Sequence, residues 1–245
     1  MILKPWEELP ASLRTEEVRK YYDILQKKRG SLLLKRIFDV VVSAVMLCLL
    51  APVFLVLAVL IKLDSKGPVF YRQVRVTQYG RHFRIFKFRT MVQNADKIGA
   101  QVTVNHDPRV TRIGRVIRRC RLDEICQLID VFRGTMTFVG TRPEVPRYVD
   151  AYTPEMMATL LLPAGVTSEA SICYRDESRL LDAAADADAC YIREVLPAKM
   201  QYNLRAIERF SFFSDIGIML KTVLAVVGVD VSGEGKHKTS AKDEE

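Results

Sequence analysis

Residues 40–61 form an almost wholly apolar stretch between two regions of mixed sequence. As a straight helix the stretch would reach about 33 Å, enough to match a hydrocarbon core of about 30 Å. Pro52 lies near its middle, where a proline removes a helix hydrogen bond and bends or breaks the helix. The stretch begins too late and runs too long for a cleaved signal peptide. We therefore predict a membrane-inserted helix that is broken at Pro52.

Basic residues mark both ends of this apolar stretch. Lys35 and Arg36 precede it, and Lys62 and Lys66 follow it. Because positive charge marks the cytoplasmic side of a membrane segment, a simple crossing would leave one basic flank on the wrong side. A re-entrant helix, which enters and leaves by the same face, satisfies both flanks. We expect both ends of the segment to lie on the cytoplasmic side.

The region before the apolar stretch predicts a short amphipathic helix. Leu13, Val18, Tyr21, Tyr22 and Leu25 recur there at helical spacing. Two interpretations stay open, because such a helix can pack on the rest of the protein or lie at a membrane surface.

Alternating sequence around residues 74–89 predicts a small β-hairpin with its turn at residues 78–80. Period-2 geometry puts Lys87 and Arg89 on the same strand face as Ile85. Two cations that continue a partly apolar face indicate a strand end that opens into a site. The alternative is an edge strand protected by charge, and the pattern alone favours that alternative.

The remaining sequence is mostly helical in pattern. Residues 122–134 place apolar side chains on one helical face, with Gly134 where a C-cap would lie. Residues 191–227 predict two closing helices. The predicted fold is α+β and mainly helical, with the re-entrant helix broken at Pro52, a small β-hairpin, and amphipathic helices along the cytoplasmic face.

The pattern of apolar and polar residues divides the chain into four segments of different composition. The N-terminal amphipathic segment is 1–34, the re-entrant membrane helix is 35–66, the main domain, which carries the candidate chemistry described below, is 67–227, and a flexible polar tail is 228–245.

Composition narrows the class of function. The chain has 245 residues, with 37 Lys and Arg against 29 Asp and Glu, and a formal net charge of +8. Such an excess suggests an anionic partner. The five cysteines include no C-x-x-C pair, which argues against a disulfide-built domain or a zinc module. The three histidines give poor support to a His-centred metal site or a serine-type triad.

The strongest candidate for chemistry is a basic run followed by two carboxylates. Arginines recur every third residue from Arg109 to Arg121, and Asp123 and Glu124 follow at a predicted helix start. Arginine binds phosphate bidentately, and a carboxylate can attack phosphorus or hold Mg²⁺. Because adjacent helical residues diverge by about 100°, the two carboxylates would approach a bound diphosphate from different sides. That geometry suits one nucleophile and one base or metal ligand.

Each part of this pattern also has an ordinary structural explanation. An Asp at a helix N-terminus is usually a cap, and a Glu in the first turn complements the helix dipole. The local sequence taken alone favours capping. The basic run can equally be a solvated face, or lie against acidic lipid headgroups.

Taken together, the motifs resemble the bacterial sugar transferase family, the monotopic polyprenyl-phosphate phosphoglycosyl transferases. The resemblance covers residues 31–227 and depends on many short motifs in the same order. The motifs are K-R-I-F-D at 35–39, G-P-V-F-Y-R-Q at 67–73, K-F-R-T-M at 87–91, D-P-R-V-T-R-I-G at 107–114, L-D-E at 122–124 and F-V-G-T-R-P-E at 138–144.

The resemblance implies a two-step exchange, the first membrane step of glycoconjugate assembly such as exopolysaccharide biosynthesis. Asp123 attacks the β-phosphate of a UDP-sugar, expels UMP and carries the phospho-sugar covalently. Polyprenyl phosphate, such as undecaprenyl phosphate, then takes that group and becomes a polyprenyl-diphosphate-sugar. Glu124 is implied as the base for the acceptor phosphate, or as the group that orients it.

The resemblance also implies the surroundings of the reaction. Mg²⁺ is the expected cofactor, and the expected partners are UDP-sugar, polyprenyl phosphate and inner membrane lipids, without nucleic acid. The expected location is the bacterial inner membrane, with the catalytic domain on its cytoplasmic face. The implied site residues are Asp123 and Glu124 for catalysis and metal binding, Lys87, Arg118 and Arg142 for substrate phosphate, and Arg142 and Pro143 for the nucleotide.

Three departures from the family pattern leave the donor sugar unspecified. The frequent G-x-T-G-W-A-Q stretch of the family reads Gly165-Val166-Thr167-Ser168-Glu169-Ala170-Ser171 here, without an aromatic residue and a glutamine that could touch the sugar or base. The family's P-R-P element reads Thr141-Arg142-Pro143 here, and an acidic position common before the last helix is Asn203. Two other functional classes stay open on the residues alone. One is an Mg²⁺-dependent hydrolase of nucleotide-sugars or lipid diphosphates. The other is a membrane-anchored basic protein that binds anions.

Overall fold

The computed structural model describes residues 3–95, 107–174 and 186–226. The predicted tail at 228–245 lies outside these residues. Helices dominate and one small antiparallel hairpin is present, which confirms the predicted mainly helical α+β class. The α-helices are α1 (Glu16–Lys27), α2 (Arg29–Asp64), α3 (Arg112–Arg119), α4 (Leu128–Arg133), α5 (Pro146–Val149), α6 (Glu169–Cys173), α7 (Ala187–Cys190), α8 (Leu196–Glu208) and α9 (Phe212–Val226).

Shorter helical turns and two strand pairs complete the architecture. The strands are β1 (Phe70–Val76), β2 (His82–Phe88), β3 (Met136–Val139) and β4 (Ala164–Thr167). The 3₁₀ turns are Trp6–Glu8, Ala11–Leu13, Gln78–Gly80, Leu122–Gln127 and Met156–Leu161, and one π-helical turn, Tyr191–Val195, joins α7 to α8.

Helix α1 packs on the protein rather than presenting its apolar face to a membrane. The side chain of Thr15 caps the helix by accepting a hydrogen bond from the Val18 amide. The apolar face that carries Val18, Tyr21 and Leu25 is buried in the largest hydrophobic cluster of the described chain. The hydroxyl of Tyr21 donates to the Glu155 carboxylate at 2.6 Å. The first of the two interpretations of this segment therefore holds.

Helix α2 is a single helix, and Pro52 lies inside it. The predicted break is therefore not observed, because a proline costs the helix one hydrogen bond and a kink is enough to accommodate it. Among the described residues, α2 is the one helix long and apolar enough to cross a membrane. Only 11% of its most apolar window is buried, whereas a core helix of a soluble protein would be mostly covered.

The first half of α2 is fixed to β3 by polar contacts. Asp39 accepts hydrogen bonds from the Thr137 hydroxyl at 2.7 Å and from the Phe138 amide at 3.3 Å. Lys35 donates to the Val139 carbonyl at 2.7 Å and forms a buried ion pair with Asp215 at the start of α9. We call the corner formed by these residues the anchoring corner.

The second half of α2 also packs against the rest of the protein. Leu57 and Ile61 are buried in a cluster that includes Phe88 of β2 and Ile117 of α3. One turn further on, the Asp64 carboxylate accepts a hydrogen bond from the amide of Ile113 at 2.9 Å. Both ends of the apolar helix therefore contact one globular unit.

Of the two strand pairs, one was predicted from the sequence and the other was not. Strands β1 and β2 form the predicted antiparallel hairpin, with Phe70 opposite Phe88 and the turn at Gln78–Gly80. Strands β3 and β4 pair in parallel and were not predicted. Both strands are short. The backbone approaches closely at Gly165, where an added Cβ would be 2.2 Å from the backbone of Gly140.

The predicted helix at 122–134 forms as two pieces of different helix type, each of 6 residues. Leu122–Gln127 is a 3₁₀ turn entered from Arg121, which has a left-handed backbone conformation with φ of 53°. Helix α4 follows and ends at Gly134, whose φ of 83° confirms the predicted C-cap. Asp123 lies inside the 3₁₀ turn and does not cap a helix, so the capping interpretation of this residue is wrong.

Candidate active site

Glu124 is held by two cations from distant parts of the chain. The Lys87 ammonium donates to one carboxylate oxygen at 3.0 Å. The Arg142 guanidinium donates to the same oxygen at 2.5 Å and to the other oxygen at 3.3 Å. Both oxygens of Glu124 are therefore occupied by positive partners, and its side chain remains 21% exposed. We call this group, together with Asp123, the catalytic corner.

The backbone explains how these three side chains meet. Lys87 lies next to last on β2, whose neighbour β1 holds it in register opposite Tyr71. Arg142 follows β3 in a loop that is fastened on both sides. The Gly165 amide donates to the Thr141 carbonyl at 2.8 Å, and Arg75 donates to the Pro143 carbonyl at 3.1 Å.

The charge state of Glu124 follows from these contacts. Burial acts to raise its pKa, but the charges and hydrogen bonds of Arg142 and Lys87 outweigh burial. The pKa of Glu124 is therefore held well below its usual range, and the group stays ionised at every physiological pH. A permanently charged, paired carboxylate is suited to orienting cations and a substrate rather than to attacking phosphorus.

Asp123 has the opposite environment, although it is the adjacent residue. It is partly exposed, and among the described residues no other side chain donates a hydrogen bond to its carboxylate. Burial raises its pKa above the ordinary value and the charge of Glu124 raises it further, while Lys87 and Arg118 act in the other direction. Asp123 is thus a carboxylate without a neutralising partner, next to a cluster of cations.

Arg118 approaches the same corner from α3. Its guanidinium donates to the hydroxyl of Thr90, in the K-F-R-T-M motif, at 2.8 Å. This hydrogen bond orients the Arg118 side chain. Burial lowers the pKa of Arg118, and the Asp123 charge partly offsets that effect, so the two groups interact electrostatically. Three predicted phosphate-binding cations, Lys87, Arg118 and Arg142, are thereby brought near the two carboxylates.

The other arginines of the basic run do not form one phosphate-binding face. Arg109 pairs with Asp107 at 2.6 Å. The remaining members point to solvent, namely Arg112, Arg115, Arg119 and Arg121. The run therefore contributes one cation to the corner, because helix α3 is short and its arginines diverge around it.

Two residues of the corner were missed by sequence reasoning. Thr90 was part of a quoted motif, but no pattern pointed to it as the partner of Arg118. Arg75 fastens the loop that carries Arg142, and burial lowers its pKa while the charges of Glu144 and Glu124 act to raise it. Pro143 lies in that loop, and its carbonyl is the acceptor for Arg75.

The predicted Mg²⁺ ligands fit unequally. Within the described ranges, no group of three or more His, Cys, Asp or Glu side chains could share a metal ion. Mg²⁺ needs only one or two carboxylates when substrate phosphates and water complete its octahedron. Asp123 fits this requirement because its carboxylate is unpaired. Glu124 fits less well, because Lys87 and Arg142 already occupy both of its oxygens.

Comparison with known proteins gives several relatives of one kind. The chain is 36% identical over 197 residues to a UDP-N-acetylgalactosamine-undecaprenyl-phosphate N-acetylgalactosaminephosphotransferase of Aeromonas hydrophila, covering 79% of this chain and 44% of that protein. It is 35% identical over 196 residues to a UDP-glucose:undecaprenyl-phosphate glucose-1-phosphate transferase of Escherichia coli, covering 78% and 39%. A protein of the same name from Caulobacter vibrioides is 35% identical over 199 residues, covering 80% and 70%.

The match to the first two of these relatives therefore spans less than half of their length. A family profile gives broader coverage of the present chain. The profile described as bacterial sugar transferase matches residues 30–229, which include α2, both carboxylates and all three cations of the corner. The chain belongs to the bacterial sugar transferase family.

Proposed function

We propose that this protein transfers a phospho-sugar from a UDP-sugar to undecaprenyl phosphate or a similar polyprenyl phosphate, releasing UMP. The observation that carries the proposal is the contrast between the two adjacent carboxylates. Glu124 is neutralised by two cations, whereas Asp123 is unpaired beside them. The relatives named for the same class of reaction support the assignment.

In the first step, an oxygen of Asp123 attacks the β-phosphorus of the UDP-sugar. The new bond joins Asp123 to phosphorus, and the bond from that phosphorus to the bridging oxygen breaks, so UMP leaves with the electron pair. The attack brings a carboxylate to a diphosphate, so it needs compensating charge. Lys87 and Arg142, which contact Glu124, would supply that charge together with Arg118, which Thr90 holds.

In the second step, a phosphate oxygen of the lipid acceptor attacks the same phosphorus. The bond to Asp123 breaks, the carboxylate is regenerated, and the product is a polyprenyl-diphosphate-sugar. Glu124 holds Lys87 and Arg142 where both anionic substrates can meet them in turn. Because the two anions occupy the corner one after the other, we expect ping-pong kinetics.

Magnesium would supply additional positive charge to the phosphate oxygens when bound. We propose that Asp123 and the donor diphosphate hold it, since Glu124 is committed to its two cations. The remaining ligands would be water, as is usual for this ion.

A membrane location follows from the lipid acceptor and from α2. We propose that α2 is re-entrant, with both ends on the cytoplasmic face of the inner membrane. Ser43 and Leu57 are both buried against the protein. The helix between them, residues 44–56, rises only about 20 Å. A helix of that length cannot cross a hydrocarbon core of about 30 Å. Because its two ends also pack on the same globular unit, we infer that the helix enters and leaves the membrane by one face.

The reaction is tested with purified full-length protein, a panel of UDP-sugars, Mg²⁺ and undecaprenyl phosphate. We expect multiple turnovers of UMP release only when the acceptor is present, and at most one UMP per protein without it. Continuous release of free sugar phosphate without acceptor would identify a hydrolase instead. No UMP release together with salt-sensitive binding of DNA would identify an anion-binding protein.

The re-entrant course is tested by labelling single cysteines in a cysteine-free background. Gly30→Cys and Lys66→Cys flank α2, and both positions are exposed. Lys66 is a better site than Gly67, where a Cβ would be 2.2 Å from Arg89. We expect a membrane-impermeant maleimide added from the cytoplasmic side to label both, while a third variant that keeps only the native Cys48, in the apolar part, is protected. Labelling from opposite sides would show that α2 crosses the membrane.

A further inference from the structure

We propose that a cavity beside the catalytic corner binds the sugar ring of the UDP-sugar. The cavity has a volume of about 320 Å³. It lies at the carboxyl ends of β3 and β4, and α8 and α9 close it on the other side. Its size is at the lower end of pockets that take small ligands, which suits a monosaccharide better than a whole nucleotide-sugar. This inference depends on the proposed function.

The cavity is next to the reacting atoms along the chain. Thr141 forms part of its wall, and the next residue, Arg142, contacts the Glu124 carboxylate at 2.5 Å. In a UDP-sugar the sugar is bonded to the phosphorus that Asp123 attacks, whereas uracil lies a phosphate and a ribose further away. We infer that the sugar enters the cavity past Thr141 and Arg142, because it is bonded directly to the phosphorus at Asp123.

One buried amide in the cavity wall lacks a strong protein partner. Asn203 of α8 is only 5% exposed and lines the cavity. The hydrogen bond recorded for it within the described chain runs to the sulfur of Met200 at 3.7 Å, and a thioether is a weak acceptor. A buried amide is costly without partners, and sugar hydroxyls can both donate to it and accept from it.

The rest of the lining argues against the other parts of the two substrates. Lys35 is the buried cation of the wall, and Asp215 already neutralises it. The other cations of the lining are exposed, namely Arg205, Arg209 and Lys221. The buried interior is therefore poorly suited to a phosphate. An isoprenoid chain would bury the Asn203 amide without any hydrogen bond. Apolar wall residues such as Ile207 and Ile218 suit the C–H faces of a sugar ring.

Gly217 of α9 gives direct experimental access to the cavity. It lines the wall, and a Cβ built on it meets no atom within 4 Å. A larger side chain can therefore fill the space without displacing the backbone, and replacing a helical glycine favours the helix. Gly30 of α2 is a matched control, because its Cβ also meets nothing within 4 Å and it is not part of this cavity.

The experiment compares Gly217→Leu, Gly217→Ala, Asn203→Leu and Gly30→Leu in the full-length protein. For each variant, three constants are measured: the KM of the best UDP-sugar of the panel, the inhibition constant of UDP, which has no sugar, and the KM of undecaprenyl phosphate. Gly217→Ala fills less of the cavity and keeps the test usable if Gly217→Leu does not fold. Thermal unfolding in the same detergent checks that each variant is native.

We expect Gly217→Leu to raise the KM of the UDP-sugar by about 10-fold or more, as for a pocket that loses room for its ligand. Asn203→Leu should raise it by about 10-fold through the lost hydrogen bonds. Gly217→Ala should have a smaller effect in the same direction. In all three variants the UDP inhibition constant and the acceptor KM should stay within about 2-fold of the wild-type values, and Gly30→Leu should change none of the constants.

Three results would overturn the inference while leaving the proposed function intact. In the first, the cavity variants match Gly30→Leu; in the second, they weaken UDP as much as the UDP-sugar; in the third, they raise only the KM of undecaprenyl phosphate. The second result would assign the cavity to the uridine part and the third to the isoprenoid chain. A wild-type protein that releases no UMP from any UDP-sugar would overturn the proposed function itself, and this inference with it.

Discussion

The catalytic corner and the anchoring corner are built from the same residue types but are completed differently. In the anchoring corner, Asp39 is hydrogen-bonded by Thr137 and by a backbone amide, and Asp215 is paired with Lys35. In the catalytic corner, Glu124 has two cationic partners, whereas Asp123 has no side-chain donor within the described chain.

The anchoring corner is also less exposed to solvent than the catalytic corner. Lys35 and Asp39 are 3% and 1% exposed, whereas the Glu124 side chain is 21% exposed and Arg142 is 39% exposed. A buried and fully satisfied polar network fixes one packing arrangement. A partly exposed cluster with one unsatisfied carboxylate leaves a position for a ligand. Completeness of pairing, rather than the presence of charge, therefore separates the structural corner from the reactive one.

The largest effect is expected from Asp123→Asn, which removes the only unpaired carboxylate of the catalytic corner. UMP release should fall by about 10³-fold or more, because an amide cannot serve as the nucleophile. The phospho-sugar adduct should disappear from the mass spectrum of the intact protein incubated with UDP-sugar. Thermal stability should stay near the wild-type value, since Asp123 makes no side-chain pair that would be lost. An adduct that persists in this variant would exclude Asp123 as the nucleophile.

The anchoring corner should respond in the opposite way. Lys35→Met leaves Asp215 buried without its partner, and breaking such a pair costs about 3–5 kcal/mol of stability. Denaturant unfolding of the detergent-solubilised protein measures this loss. The double variant Lys35→Met, Asp215→Leu should recover part of it, because no unpaired charge remains. If the single and double variants are equally unstable, the ion pair does not determine the stability of this corner.

Glu124→Gln should separate the two chemical steps. The variant keeps Asp123 and so should still form the adduct, but transfer to undecaprenyl phosphate should slow by about 10²-fold, because Lys87 and Arg142 lose the carboxylate that positions them for the acceptor phosphate. Rapid-quench measurement of adduct formation and decay checks both steps. Glu194→Gln, at an exposed position outside the corner, is the control. Equal loss of both steps would show that the two carboxylates do not have separate functions.

The smallest effect concerns pH. Asp123 must be ionised to attack, and burial together with Glu124 raises its pKa. Adduct formation should therefore decline on acidification at a higher pH than an ordinary aspartate would require. Glu124→Gln removes one cause of the raised pKa and frees two cations, so the acid limb should move to lower pH. An acid limb that stays in place, or moves to higher pH, would contradict this electrostatic account.

Several elements were predictable because their signals are local. The hairpin of β1 and β2 follows from alternation and a short turn, the end of α4 follows from Gly134, and α8 and α9 follow from helical periodicity. The apolar stretch at 40–61 was evident from composition alone. The break at Pro52 was overestimated, because a proline inside a helix removes only one hydrogen bond while the flanking turns remain intact.

Other features depended on contacts that no local pattern encodes. The apolar face of α1 could have faced lipid or protein, and only packing against the rest of the fold determined that it is buried. The parallel pairing of β3 with β4 joins two short segments distant in sequence. The cavity beside Thr141 exists only because α8 and α9 close over the ends of those strands.

The amino-acid sequence by itself determined the residue types of the proposed site, their order along the chain and the presence of an apolar helix. It identified Asp123, Glu124, Lys87, Arg118 and Arg142 as candidates, and the structure brings all five to one corner. Tertiary structure alone decided which carboxylate is neutralised. The reason is physical: the charge state of a carboxylate depends on cations within a few ångströms, and for Glu124 these cations come from another strand and another loop.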